Sequence, residues 1–283
     1  MATELAEARP QTAGASRSTI VLIHGLWMTP VSWQGWKERF EGRGHQVLAP
    51  GWPGVGDREV EVIRQDPSAL EGLGIKEIAD HYESIVRDLD TPPIIIGHSF
   101  GGLVAQILLD RGLGVAGVGV AASPFRGILG LPYSTVRVAI SGGLKNPLGK
   151  NRAVMLSPRQ FHYAFTNTLG AAEAAEVYER LPIPGPARTL FQAAFANLNP
   201  HTPIKVNYKN DHRAPLLLVS AGKDHIIPAA TSKAACKLQS KSTAKTELVE
   251  YPNRSHYIVG EPGWEEVADR AIDWAELKSN ATA

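Results

Sequence analysis

Apolar residues recur along this chain in two patterns that take turns. Short, nearly continuous runs stand at residues 19–23 (T-I-V-L-I), 94–96 (I-I-I), 115–122 (V-A-G-V-G-V-A-A) and 215–219 (P-L-L-L-V). Runs of that length without polar interruption predict strands buried on both faces. Residues 45–49 read as a further strand, ending in the Pro50-Gly51-Trp52-Pro53-Gly54 loop, and residues 245–251 alternate as a last one. Between them apolar positions return at helical spacing: Val31, Trp33, Trp36 and Phe40 up to the stop at Gly42 and Gly44, then Ile78, Tyr82, Ile85 and Leu89. A helix is expected from near Pro228, and an amphipathic one over residues 264–277. Strand and helix in alternation imply crossover connections and a mostly parallel sheet of about six strands covered on both faces. Residues 57–74 are polar and carry no clear period.

The alternation lapses between Ser123 and Arg213, where no strand pattern is convincing. Helical patterns stand at residues 158–169, 171–181 and 189–198, with Pro147, Pro182, Pro184, Pro186, Pro200 and Pro203 between and around them. A connecting loop of that length is uncommon, so residues 125–213 are expected to form a helical cap inserted in an α/β core of residues 19–124 and 214–278. Residues 1–18 and 279–283 read as tails, the first one disordered.

Bulk properties narrow the class. The 283 residues are 43% apolar and 20% charged, which suits one large α/β domain with an insertion. A net charge of +1 without a basic stripe argues against nucleic acid as a partner. Cys236 is the only cysteine, so neither an intrachain disulfide nor a thiolate cluster is available. The first residues lack the apolar centre of a secretory signal and no later run is long enough to span a bilayer, so a cytoplasmic location is expected.

The chemistry concentrates at residues 97–102, G-H-S-F-G-G, between the Ile94–Ile96 run and a helical pattern. A serine at the apex of so sharp a strand–turn–helix is held in a strained backbone conformation. The flanking positions must be nearly free of side chain, as Gly97 and Gly101 are, and Gly102 lets the helix sit close to the strand. The hydroxyl of Ser99 would stand at the sheet rim beside helix N-terminal amides. A serine needs a base, and the base an orienting group. Asp224 and His256 each follow a strand end, in turns reading G-K-D-H-I-I-P and P-N-R-S-H. Open α/β sheets place ligands at that rim.

The chain resembles the α/β-hydrolase family of serine hydrolases with a cap, through His24-Gly25, the Gly97 to Gly101 turn, the Gly222-x-Asp224-x-x-x-Pro228 turn and His256. The order Ser99, Asp224, His256 is that of the family. The resemblance covers nearly all of residues 19–277 and is nearest to esterases, lactonases, carbon–carbon bond hydrolases and cofactor-free haloperoxidases. It implies an α/β-hydrolase fold whose first two family strands are missing, since no room precedes Thr19. It implies Ser99 as nucleophile, His256 as proton carrier, Asp224 as its orienter, and the backbone amides of Leu26 and Phe100 as an oxyanion hole. The family's other site for the acid, after Ala122, holds no carboxylate.

Other residues carry weaker signals. His225 would invert the chain order, and His24 and His98 suit loop hydrogen bonding better than chemistry. His45, His81, His162, His201 and His212 have no metal-ligand spacing, so neither metal nor cofactor is expected. Gly54-Val55-Gly56 lacks the rest of a phosphate-binding loop. Trp27, Met28, Phe125, Tyr133, Phe161 and Phe165 are expected to line an apolar substrate pocket. The reaction expected is hydrolysis of a small or medium apolar ester, lactone or thioester through an acyl-enzyme. The alternatives are a lyase or carbon–carbon hydrolase using the same residues, and a non-catalytic small-ligand receptor. Oligomeric state has no signature in the sequence.

Overall fold

A computed structural model describes residues 18–130 and 132–280, so the 1–17 part of the expected tail and residues 281–283 lie outside the described residues. Strand β1 (Ile20–Ile23) leads through a 3-10 turn into helix α1 (Gln34–Gly42) and the two-residue strand β2 (Val47–Leu48). The polar stretch that follows holds the short helix α2 (Val60–Gln65), and then come α3 (Ile75–Arg87), β3 (Ile94–His98), α4 (Phe100–Asp110) and β4 (Ala116–Val120). The next ninety residues hold α5 (Tyr133–Ala139), β5 (Ala153–Val154), α6 (Pro158–Ala164), α7 (Ala171–Arg180), β6 (Gly185–Pro186) and α8 (Ala187–Ala194). The chain closes with β7 (Leu216–Ala221), α9 (Ala229–Gln239), β8 (Thr246–Tyr251) and α10 (Trp264–Asn280).

Six strands form one sheet in the order β2-β1-β3-β4-β7-β8, and every neighbouring pair is parallel. Strands β1, β3, β4 and β7 are buried along their whole length, which is why their sequences show no polar alternation. The edge strand β8 is only half-buried and keeps an exposed Glu250. Between β4 and β7 the chain adds nothing to this sheet. Its β5 and β6 form a separate antiparallel ladder, too short to leave a trace in the apolar pattern. Helix α10 extends through Ser279 and Asn280, beyond the expected end at residue 277.

Strand order reverses beside β1, where the chain leaves toward β2 and returns to β3 on the other side. Such a switch point opens a crevice at the strands' carboxyl ends. Register pairs Ile23 with Gly97, and two residues further on Gly25 lies against Ser99. A Cβ on Gly25 would stand 2.9 Å from the Ser99 Cβ.

The glycines of the serine turn have no clearance. A Cβ at Gly97 would fall 2.1 Å from the Gly101 carbonyl oxygen, and one at Gly101 would fall 2.1 Å from that of Ile23. Gly102 brings α4 against Ala122 in the same way, at 2.7 Å. Replacing Gly101 by Ala is therefore expected to destabilise the fold by about 3 kcal/mol or more, because backbone must move. Gly42, at the end of α1 with open space around it, is the control. Gly42→Ala should be neutral or stabilise by up to about 1 kcal/mol. Urea unfolding of both variants checks the contrast, and equal midpoints would remove the steric account.

Candidate active site

Ser99 sits between β3 and α4 with φ 56 and ψ −120, a left-handed conformation that a serine adopts only when its surroundings impose it. Its amide donates to the Val120 carbonyl at 2.9 Å, and its own carbonyl accepts from the Ser123 amide at 2.9 Å. Those bonds, with the glycine packing, hold the turn from both sides. Phe100 opens α4, and the first amides of a helix have no intrahelical acceptor.

Asp224 lies in the turn after β7 and is buried. One carboxylate oxygen, Oδ1, accepts from the Ile226 and Ile227 amides at 2.7 and 2.8 Å. The other, Oδ2, meets Nδ1 of His256 at 2.6 Å. His256 is fully buried in the loop after β8, and its Nε2 has no hydrogen-bond partner among the described residues. Three distant segments thus deliver a serine, an imidazole and a carboxylate to one sheet rim.

The loops are tied to the segment between β4 and β7. Around α6, the Tyr163 carbonyl accepts from His225 Nδ1 at 2.7 Å and the Phe165 carbonyl from the Tyr257 amide at 3.0 Å. Asn167 Nδ2 donates to the Lys223 carbonyl at 3.0 Å, and the Thr168 hydroxyl to Glu261 Oε2 at 2.7 Å. Glu261 is buried and also accepts from the Ser255 amide and hydroxyl, each at 3.0 Å, directly before His256. A buried carboxylate is tolerable only with such donors. Sequence reasoning passes over Glu261, which carries no local motif, and over Thr168 and Asn167.

Ser99 and Phe100 line a cavity of about 100 Å3. Helix α5 contributes Thr135, Val136, Val138 and Ala139 to its wall, α8 contributes Leu190, Ala193 and Ala194, and the acid turn adds Ile226 and Ile227. Among the described residues no charged side chain lines it. Of the aromatic and apolar side chains expected there, Trp27 is present, its indole Nε1 fixed on the Val154 carbonyl at 3.0 Å. Met28 instead is fully buried in the core, and Phe125 stacks on Tyr208 behind the wall. Tyr133 is 79% exposed at the start of α5, turned away from the cavity. Phe161 packs between Phe165 and Tyr178, and Phe165 stands edge-on to the His256 ring at 5.0 Å. Short α5 and small Ala193 and Ala194 offered no pattern by which to single them out.

His24 and His98 serve the scaffold of the site. His24 stacks on Trp52 at 5.0 Å, accepts from the Trp52 amide through Nε2 at 3.1 Å and turns Nδ1 to the Gly25 carbonyl at 3.0 Å. That fixes one neutral tautomer and steadies the loop carrying Gly25 and Leu26. His98 donates from Nε2 to the His256 carbonyl at 2.8 Å. Burial lowers the His24 pKa from 6.5 to about 4, and burial with the neighbouring His256 holds His98 well below its usual value. Among the described residues no cluster of His, Cys, Asp and Glu could hold a metal ion. No described helix is long and apolar enough to cross a membrane.

A family model for the alpha/beta hydrolase family matches residues 20–270, and the chain belongs to that family. No protein of curated function matches it by sequence. Among solved structures it is similar to a monoacylglycerol lipase from Paleococcus ferrophilus, with 20% identity, TM-score 0.62 and coverage of 93% of this chain and 95% of that one. A methylesterase from Arabidopsis superposes with TM-score 0.61 at 15% identity, covering 91% and 99%. A thermophilic esterase from Thermogutta terrifontis does so with 0.64 at 14%, covering 92% and 89%. At these identities the likeness is one of fold.

The two depressed histidines make stability depend on pH. Unfolded, each histidine takes up a proton as pH falls through about 6.5, while the folded protein keeps His24 neutral down to about 4. Stability is therefore full above pH 6.5 and declines below it. His24 alone accounts for about 2 kcal/mol of that decline by pH 5. Urea unfolding at pH 7 and pH 5 should show the drop, and His24→Gln should shrink it. An unchanged drop in that variant would refute the assignment.

Proposed function

We propose that this protein is a serine hydrolase that cleaves small, uncharged esters, lactones or thioesters through an acyl-enzyme. The observation that carries the reading is the Asp224 carboxylate on Nδ1 of His256 with Nε2 of the same ring unpartnered, and Ser99 in a strained turn beside an uncharged cavity supports it. In this reading the Ser99 hydroxyl attacks the acyl carbon and His256 Nε2 takes its proton. Asp224, locked by two backbone amides, holds the imidazole in the tautomer that leaves Nε2 free to accept. Negative charge on the acyl oxygen falls to the amides of Leu26 and Phe100. The close seating of Gly25 on Ser99 supports the Leu26 assignment. The imidazolium then protonates the leaving alcohol, and water repeats the sequence to release the acid.

The segment of residues 125–213 acts as a cap in this reading, since α5 and α8 supply much of the cavity wall and exclude water. Absence of charge in that wall favours neutral acyl groups, as burying an unpaired carboxylate or ammonium there would cost several kcal/mol. A cavity of about 100 Å3 suits short acyl chains, since one half as large again holds a benzene ring. The fold's occurrence among lipases and esterases agrees with the reading.

Two measurements test it. A fluorophosphonate should label the folded protein at Ser99, and Ser99→Ala should lose the label and at least about 10^4-fold in turnover of nitrophenyl butyrate. Labelling absent from the wild type, or full activity in the variant, would overturn the proposal, the former in favour of a ligand receptor. Within the acyl series, acetate and butyrate should be turned over faster than decanoate. Leu190→Ala, which enlarges the wall, should shift the preference toward longer chains.

A further inference from the structure

Between Arg126 and Gly170 the chain carries Arg126, Arg137, Lys145, Lys150, Arg152 and Arg159 and not one Asp or Glu. All but Arg126 are exposed, and none is ion-paired with a carboxylate among the described residues. The contrast with α1 is sharp, where Lys37, Arg39 and Arg43 all meet carboxylates.

Exposed apolar side chains gather on the same part of the molecule. Leu148, Leu129, Tyr133 and Leu198 are the most exposed large apolar residues described, at 98%, 80%, 79% and 79%, and Phe195 and Ile140 accompany them. Several of them are brought together by direct contacts. Asn197 joins the Leu129 turn to the Leu198 turn, accepting from the Gly127 amide at 2.7 Å and donating to the Ile128 carbonyl at 2.9 Å. Lys150, two residues after Leu148, shares a shallow cleft with Phe195 and Asn199. Gly142, two residues after Ile140, fits against Leu190 of α8. The elements that carry these tips, α5 and α8, are also those that wall the serine cavity.

Arg137 stacks on the Tyr163 ring at 3.8 Å, and the other exposed cations of this stretch have no carboxylate partner among the described residues. Single exposed apolar residues need no explanation, but a group of them among such cations does. Such a face pairs apolar tips that insert between acyl chains with cations that meet anionic headgroups. A nucleic acid would satisfy the cations and leave the leucines in water. Glu173, Glu176 and Glu179 of α7 are exposed carboxylates of the same segment, so α7 is left out of the surface. We propose that the exposed tips of residues 126–152 and 195–198 dock on an anionic lipid surface, setting the cavity-walling helices against the phase where apolar esters collect. Docking is a binding property, so its test stands or falls separately from the role of Ser99.

The full chain should co-sediment with phosphatidylglycerol–phosphatidylcholine vesicles, more weakly as salt is raised, and poorly with phosphatidylcholine alone. Lys145→Glu, Lys150→Glu and Arg152→Glu together should lower partitioning at least about a hundredfold, given roughly fivefold per basic residue at an anionic surface. Leu129→Ser, Leu148→Ser and Leu198→Ser together should abolish the binding that survives at high salt. All six positions are exposed and away from the cavity wall, so melting temperature and hydrolysis of a soluble ester should hold in both variants. Failure to bind anionic vesicles, or binding unaltered in both variants, would overturn the proposal. So would a self-association that replaces vesicle binding and is lost in the serine variant, which would assign the face to a second copy. Binding to a DNA oligonucleotide in place of vesicles would overturn it as well.

Discussion

The architecture of the site depends on backbone touching backbone where β1, β3 and the start of α4 meet. Gly97 and Gly101 leave no room for even a methyl group, and the carbonyl of Ile23 closes the gap from the neighbouring strand. This contact forces Ser99 to a positive φ and aims α4 at the sheet rim. It also sets Gly25 against the serine, because the parallel register places residues 23 and 97 side by side. Ser99, a helix terminus and a loop amide are thus positioned by one steric constraint, with no adaptable side chain between them.

The second requirement is to bury an imidazole in a working orientation. His256 is held by Asp224 on Nδ1, by His98 on its backbone carbonyl, and through Ser255 by Glu261. Two of these partners are themselves saturated, Asp224 by two amides and Glu261 by Ser255 and Thr168, while His98 keeps Nδ1 without a partner among the described residues. Such networks rigidify only when complete, since an orphaned buried polar group costs about 1–3 kcal/mol. Among the described residues Nε2 of His256 is left without a partner, as are Nδ1 of His98 and the hydroxyl of Ser123. Neutral His24 and His98 fit the same logic. Burial strips them of charge, so they hydrogen-bond as neutral rings without adding a charge beside Ser99 and His256.

What was legible in the sequence follows from how local each cause is. Ile94–Ile96 before Gly97 and an apolar helix after Gly101 announce the turn because strand, constraint and helix are contiguous. The strand predicted over residues 45–49 narrows to Val47 and Leu48, since an edge position makes only the two pairs with β1. Helix α2 leaves no trace in the pattern because only Ile63 is buried, too little for a period. Trp27 and Met28 show the limit most clearly. They are adjacent, yet one walls the cavity and the other fills the core. Trp27 takes φ 64, and no sequence pattern advertises that angle for a tryptophan. Tyr133 and Phe125 failed as pocket residues for a similar reason: proximity to strand ends says nothing of the direction in which a side chain leaves.

The chain between β4 and β7 has two faces of opposite character, and neither is explained by the needs of the sheet. Inward, α5 and α8 present Val136, Ala139, Ala193 and Ala194, small and uncharged, so that the cavity stays narrow and of low polarity. It is held to the core by buried apolar side chains such as Phe161, Phe165 and Ile183, and its polar ties include those of Tyr163, Phe165, Asn167 and Thr168 to the loops of Asp224 and His256. In the proposed reading, a cap bonded to the loops of Asp224 and His256 links its outer, basic and apolar face to the geometry beneath. A segment retained only to cover the cavity would need no exposed leucines and no run of unpaired cations.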